Sequence, residues 1–285
     1  MKREEKMKAL FDFSGREYSE KIIRETWSEF RKALTEGLFA FDEVEKAKKY
    51  TFLKVYDDLF NQHSAIDYKC ITIRDLDSVL VGRGTILNAT EIPDYERFIP
   101  KQEFITNDNR FSPIGVEWLY LAIGSEYDIH QCAQAECRAK TGESFGFCHF
   151  VFDKSSSCLK LVDLTIADDI SYNKINYWLK KDYQKFKPKN GVNLRDDKDF
   201  VAPLKKWTAY IYTKLLSEQI FVPLCDTDDR SIMYAPFQTM AQYYISLGYS
   251  GIIYKSTVSD FGKNLVLFDK NIVHPFGTIE HYTLP

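Results

Sequence analysis

Basic charge is not in excess in this chain: 38 Lys and Arg stand against 41 Asp and Glu in 285 residues, giving a formal net charge of -3 and a pI near 6.0. No global positive field therefore exists to hold nucleic acid or an anionic membrane surface, although a local patch is left open. Long apolar runs are missing too, and no stretch reaches the roughly 18 residues of a membrane span. The opening MKREEKMKALFDF carries charges where a signal peptide needs an apolar segment, so a cytoplasmic location is expected. The six cysteines, at 70, 132, 137, 148, 158 and 225, include no CxxC pair and lack the dense spacing of a secreted disulfide scaffold, which points to reduced thiols. No internal repeat, low-complexity tract, GxGxxG or Walker loop is present, and none of the five His lies in a motif beside Ser or Cys that would suggest a nucleophilic triad.

What is present is enough apolar material for one large core, or one core with a helical appendage: 45% of residues are hydrophobic. The 18 Tyr and 21 Phe suit strand-rich packing, and their rings can stack on a base or nicotinamide, although core packing alone explains most of them. Residues 16 to 34 place Ile22, Ile23, Thr26, Trp27, Phe30, Ala33 and Leu34 near a 3.6-residue period, which reads as an amphipathic helix. A second helix is expected after Asp42, with Phe52, Leu53, Tyr56, Leu59 and Phe60 on its apolar face. These helices define an N-terminal helical region, residues 1 to 66.

From residue 67 the pattern turns to short strands and loops. KCITI, SVLVGRG and WLYLAI read as strands, the stretch from Leu87 to Asn109 as a long surface loop, and the segment up to about Arg138 as a helix. FGFCHFVF and CLKLVDL flank DKSSS and suggest a hairpin. Residues 171 to 202, with KKDYQKFKPKNG, read as a solvated helix and loop, or else as a phosphate-binding or partner surface. WTAYIYTKLLSEQIF and APFQTMAQYYISLG follow as helices, the latter ended by Gly248, and GIIYKS and NLVLFD close the chain as strands.

Several residues have the setting that chemistry needs. Arg83 lies between two glycines in VGRGT, after an apolar run; glycines permit close backbone approach, and a guanidinium there can fork onto a pyrophosphate. The alternative is a surface Arg in a salt bridge. Arg110 opens NRFSPIG, where Pro113 and Gly115 make a turn before the WLYLA strand, and Tyr120 within that strand is either a core tyrosine or a ring for stacking. Glu136 follows Cys132, Ala133 and Ala135 on a mostly apolar helix, and burying such a carboxylate is costly unless it is paired. Ser256 ends GIIYKS, either as a plain strand-end residue or as a hydroxyl facing a cleft. His130, Cys132, Cys137, Cys148 and His149 offer soft zinc ligands, but their spacing matches no common zinc pattern and Cys148 and His149 point to opposite faces of a strand, so no metal is expected.

Two separated segments carry a resemblance. NRFSPIGVEWLYLA, running on to AECR around Glu136, and YAPFQ, followed by GYSGIIYKSTVSDFGKNLVLF, resemble the RES domain, a family named for its Arg, Glu and Ser whose characterised members act on NAD and often serve as toxins. Gly82 stands where the family has an aromatic, Asn109 where it has Gly, and Ser112 where it has Asn. The resemblance implies an α+β fold, with mixed and antiparallel sheets around an NAD cleft as in ADP-ribosyltransferases, over residues 67 to 285. It implies Arg83, Glu136 and Ser256 as catalytic residues, and Arg83, Arg110, Tyr120, Gln238 and Ser256 as NAD-binding ones. NAD would be the substrate, held without a Rossmann fold. The implied activity is cleavage of the nicotinamide–ribose bond by a bacterial toxin, with water or phosphate as acceptor. The alternatives are transfer of ADP-ribose to a protein, or a non-catalytic nucleotide- or partner-binding protein. Candidate partners are an antitoxin or regulatory protein and a second copy of the chain through the N-terminal helices; membrane and nucleic acid are not expected.

Overall fold

The computed structural model describes residues 18–58, 60, 70–185, 198–220 and 229–285. Contacts divide the chain into two compact units, one from residues 1–69 and 164–219 and the other from 70–163 and 220–285. The N-terminal helices are therefore joined by a later stretch that the division at residue 66 had assigned to the other domain.

The first unit is helical. The 3.6-residue period of residues 16 to 34 becomes α1 (Tyr18–Thr35), which buries Ile22, Ile23, Trp27, Phe30 and Ala33 along one side. The helix expected after Asp42 forms as two pieces, α2 (Val44–Ala47) and α3 (Thr51–Asp57). Phe52 on α3 packs edge-on against Trp27 at 4.9 Å and at a tilt against Tyr212 at 5.3 Å, the latter from the helix Lys198–Ile220. Polar contacts ring this aromatic core: Trp27 Nε1 donates to Gln219 Oε1 at 3.1 Å, and Arg24 pairs with Glu218 at 2.7 Å. The helix over Tyr172–Lys185 stacks Trp178 on Trp207 at 4.8 Å and buries Ile175 and Leu179; it is thus packed on one face rather than wholly solvated. Most of KFKPKNG lies outside the described residues.

The second unit is built on one eight-stranded mixed sheet, making the protein α+β. Its strands are β1 (Cys70–Thr72), β2 (Leu80–Leu87), β3 (Leu119–Gly124), β4 (Ser144–Phe152), β5 (Lys160–Asp163), β6 (Gly251–Lys255), β7 (Lys263–Leu267) and β8 (Val273–Thr283), in the order β1-β5-β6-β7-β3-β2-β4-β8. β5 and β6 run parallel, and the other neighbours antiparallel. The helix that follows β3, Glu126–Glu136, covers one face with Ile129, Cys132 and Ala133 against Phe145 and Phe147; Leu119, Leu121, Ile123, Cys148 and Leu265 belong to the core of the opposite face. The helix Arg230–Ser246 also belongs to this unit.

The expected hairpin of FGFCHFVF and CLKLVDL does not form. β4 lies between β2 and β8, and β5 between β1 and β6. DKSSS has no two-residue turn chemistry; it makes a short 3₁₀ turn (Lys154–Ser156), after which Ser157 and Leu159 accept backbone hydrogen bonds from Arg74 and Ile73. The partner of β4 is instead β8, an eleven-residue edge strand with no counterpart in the sequence reading. Its pattern is hard to recognise because it is largely exposed and contains Pro275 and Gly277, residues tolerated at a sheet edge.

One irregularity positions the site. β2 pairs with β3 only over Leu80–Gly82, while its pairing with β4 continues from Gly82 to Leu87. β3 pairs with β7 along Leu119–Ile123. The ladder between β2 and β3 therefore ends at Gly82, just before Arg83 and in the middle of the sheet. Gly82 and Gly84 flank this point: a Cβ at either would lie 2.2 Å from the ring of Phe147 or Phe145, so those rings of β4 fill the space that side chains would take.

Candidate active site

Glu136 is the last residue of its helix, which begins with a capping box: Ser125 Oγ accepts from the Asp128 amide, and the Asp128 carboxylate accepts from the Ser125 amide. The helix ends at Cys137, followed by Arg138 in the left-handed region at φ 51°. This places Glu136 on the surface and not buried among its alanine neighbours, so the cost of burying its charge is not what marks it. What marks it is its bonding. Glu136 Oε1 accepts from Ser256 Oγ at 2.8 Å and from Asn264 Nδ2 in a short contact, while Oε2 accepts no hydrogen bond among the described residues. A carboxylate with one oxygen held and the other open has a fixed direction.

Ser256, 1% exposed, follows β6 directly. Its hydroxyl donates to Glu136 and accepts from the amides of Val258 and Ser259 at 3.2 and 3.0 Å. Ser256 is thus engaged in holding Glu136. Asn264, which the sequence reading missed, lies on β7, and its Oδ1 accepts from Cys132 Sγ at 3.4 Å, orienting the amide so that Nδ2 faces Glu136. A signal was present: Asn264 is a polar residue in the apolar NLVLF, and burying it requires hydrogen-bond partners.

Arg83 meets this cluster through its neighbour. Cys137 Sγ donates to Gly84 O at 3.3 Å, so the residue after Glu136 touches the residue after Arg83. Arg83 Nη1 is buried and has no hydrogen-bond partner. Burial lowers the Arg83 pKa to about 10, with Cys137 opposing the shift and Arg97 adding to it. A buried N–H of a charged group without a partner is costly, and an anion satisfies it. The salt-bridge alternative for Arg83 is not found among the described residues.

The NRFSP turn forms the other side. Ser112, fully buried, shares a 2.9 Å hydrogen bond with the Tyr120 hydroxyl, and Asn109 O accepts from Gln238 Nε2 at 3.2 Å. Phe111 packs edge-on to Tyr254 at 4.9 Å, and the Arg110 guanidinium lies over Tyr234 and Phe237 at 5.3 and 5.9 Å from their centroids. YAPFQ therefore packs against the turn, its Gln238 as a brace. Burial holds the Tyr120 and Tyr254 phenols neutral; Glu136, Tyr120 and Arg110 all act on Tyr254, which connects the two sides of the cluster. Five of the six sequence candidates, Arg110, Tyr120, Glu136, Gln238 and Ser256, belong to this connected set, whereas Arg83 pairs with Cys148, whose side chain lies in the core of the opposite face.

The two cysteines of the cluster are held as thiols. Burial, then the Glu136 charge, pushes the Cys132 thiol up to about 12, and burial pushes Cys137 up to about 11, so neither is a thiolate at neutral pH. The expected soft-ligand set also does not assemble: Cys148 is buried in the core on the opposite face, whereas His130 and His149 converge with Glu126 and Glu280. In comparisons with known proteins, no family model, no curated protein and no solved structure matches the chain.

Proposed function

We propose that the protein is an NAD-consuming enzyme of the RES kind that cleaves the nicotinamide–ribose N-glycosidic bond, acting as a toxin. The observation that carries this reading is the Glu136 carboxylate, fixed through one oxygen by Ser256 and Asn264 and open at the other. In NAD the nicotinamide is already a cationic leaving group and needs no protonation. The enzyme has to stabilise the positive, oxocarbenium-like sugar that develops as the bond breaks. Glu136 Oε2 suits that task, and a carboxylate held in advance does it without reorganising. Arg83, where β2 and β3 part, suits the pyrophosphate, with Arg110 as a second cation backed by Tyr234 and Phe237. Tyr120, half-buried, offers ring surface, whereas Tyr254 is buried and braces the turn through Phe111. In this reading Ser256 and Asn264 are positioning residues and the parted strands are the NAD cleft.

Incubating the purified protein with NAD, with and without phosphate, and identifying products by mass tests the reading and its acceptor together. Free ADP-ribose marks a glycohydrolase, a phosphorylated ADP-ribose a phosphorylase, and ADP-ribose attached to an added protein lysate a transferase; intact NAD in every arm contradicts the proposal. Arg83→Ala is expected to lower kcat/KM by roughly 10- to 100-fold, the worth of one charge-assisted contact to phosphate.

A further inference from the structure

We propose that Glu126, His130, His149 and Glu280 form a structural binding site for a divalent transition metal, Zn²⁺ in particular, apart from the Glu136 cluster. The four ligand atoms lie within 4.8 Å of one another. They come from three separate elements, Glu126 and His130 from the helix after β3, His149 from β4 and Glu280 from β8, so the fold and not local sequence brings them together.

The four imidazole–carboxylate distances are close to those around a tetrahedral ion, and the two remaining pairs, His130–His149 and Glu126–Glu280, lie within 4.8 Å. With metal–ligand bonds of about 2.0–2.1 Å, tetrahedral ligands sit about 3.3 Å apart. His130 Nε2 is 3.2 Å from Glu126 Oε1 and 3.5 Å from Glu280 Oε1; His149 Nε2 is 3.3 and 3.7 Å from the same two oxygens. Neither carboxylate is paired with a lysine or arginine among the described residues, so two like charges point at one spot shared with two imidazoles. A dication there gives a neutral centre with two carboxylates and two neutral histidines.

The surroundings orient the ligands as metal sites do. The His130 ring stacks on Phe147 at 3.8 Å, and its Nδ1 is 3.2 Å from the Tyr282 hydroxyl. The tautomer that donates Nδ1–H to Tyr282 leaves the Nε2 lone pair facing the other three ligands. Gln134 Nε2 donates to the same Tyr282 oxygen at 3.0 Å and fixes it. On the helix, Glu126 and His130 are four residues apart and share a face, whereas Cys132 and Glu136 serve the other cluster. Four protein ligands leave no open position, which is the mark of a structural site; it clamps the edge strand β8 to β4 and the helix.

The test is titration of ZnCl₂ into chelator-stripped full-length protein by calorimetry, with thermal unfolding and X-ray absorption on the loaded protein. One ion per chain, a raised Tm and a first shell of nitrogen and oxygen only are expected. Tyr282→Phe should weaken binding by about 10- to 100-fold, and Glu280→Gln, an isosteric change at a half-buried position of the edge strand, should weaken it at least as much. Absence of binding, a sulfur shell near ~2.3 Å that places zinc on cysteines, or unchanged affinity in Glu280→Gln would each overturn the site. The absorption measurement uses the unaltered chain, so its result stands even if a variant misfolds.

Discussion

In the proposed reaction a carboxylate that stabilises positive charge has to be held before the charge appears, and Glu136 Oε1 has two donors that hold it. Removing either is expected to lower kcat while leaving KM nearly unchanged: Ser256→Ala and Asn264→Ala should each cost about 10- to 100-fold in steady-state NAD turnover, the worth of a hydrogen bond to a charged group. Equal losses in kcat and none in the fold, checked by circular dichroism, distinguish positioning from collapse. A second expectation concerns the thiols. With Cys132 at about 12, Cys137 and Cys148 at about 11, and Cys158 exposed, iodoacetamide at pH 8 should label Cys158 well before the other three, as read by peptide mass. At this scale the sequence was informative where a residue broke its local pattern. Arg83 between glycines and Ser256 at a strand end were visible as such. Asn264 in NLVLF was equally visible but was read as part of an apolar strand, and Glu136 was chosen for burial when its distinction is the bonding of one oxygen.

Elements that obey one period were legible, and elements defined by their neighbours were not. α1 follows from its 3.6-residue apolar spacing, and β3, β6 and β7 from short buried runs. β8 escaped because an edge strand needs only one partner and tolerates Pro275, Gly277 and charge. The false hairpin has the same origin: β4 and β5 are adjacent in sequence, but β4 pairs with β2 and β8 and β5 with β1 and β6, which only the folded sheet supplies. The early end of the β2–β3 ladder was likewise unreadable, although the glycines beside Arg83 hinted at it. Those glycines carry an element-scale prediction. Gly84→Ala places a methyl 2.2 Å from the Phe145 ring and 3.1 Å from Ala133, between the sheet and the helix bearing Glu136. It should destabilise the protein by about 1–3 kcal/mol in denaturant unfolding, the usual cost of overpacking, and shift Glu136 enough to reduce turnover.

At the scale of the whole molecule, the chain is a helical unit and a sheet unit, each with its own buried core, and the sheet unit holds every candidate residue of the site. No helix among the described residues is long and apolar enough to cross a membrane. The unit boundaries follow contacts rather than chain order, because residues 164–219 return to pack with the N-terminal helices. An aromatic core such as Trp27, Phe52 and Tyr212 is assembled from positions more than a hundred residues apart, and no local pattern announces that partnership. The central proposal concerns the sheet unit: Glu136, held by Ser256 and Asn264, stabilises the charge that develops as the nicotinamide–ribose bond of NAD breaks. The measurement that tests it most directly is nicotinamide release from NAD by the full chain and by Glu136→Gln, which keeps the side-chain shape and removes its charge. The account predicts release by the unaltered protein and a loss of about 100- to 1,000-fold in the variant; no release by either, or equal release by both, would contradict it.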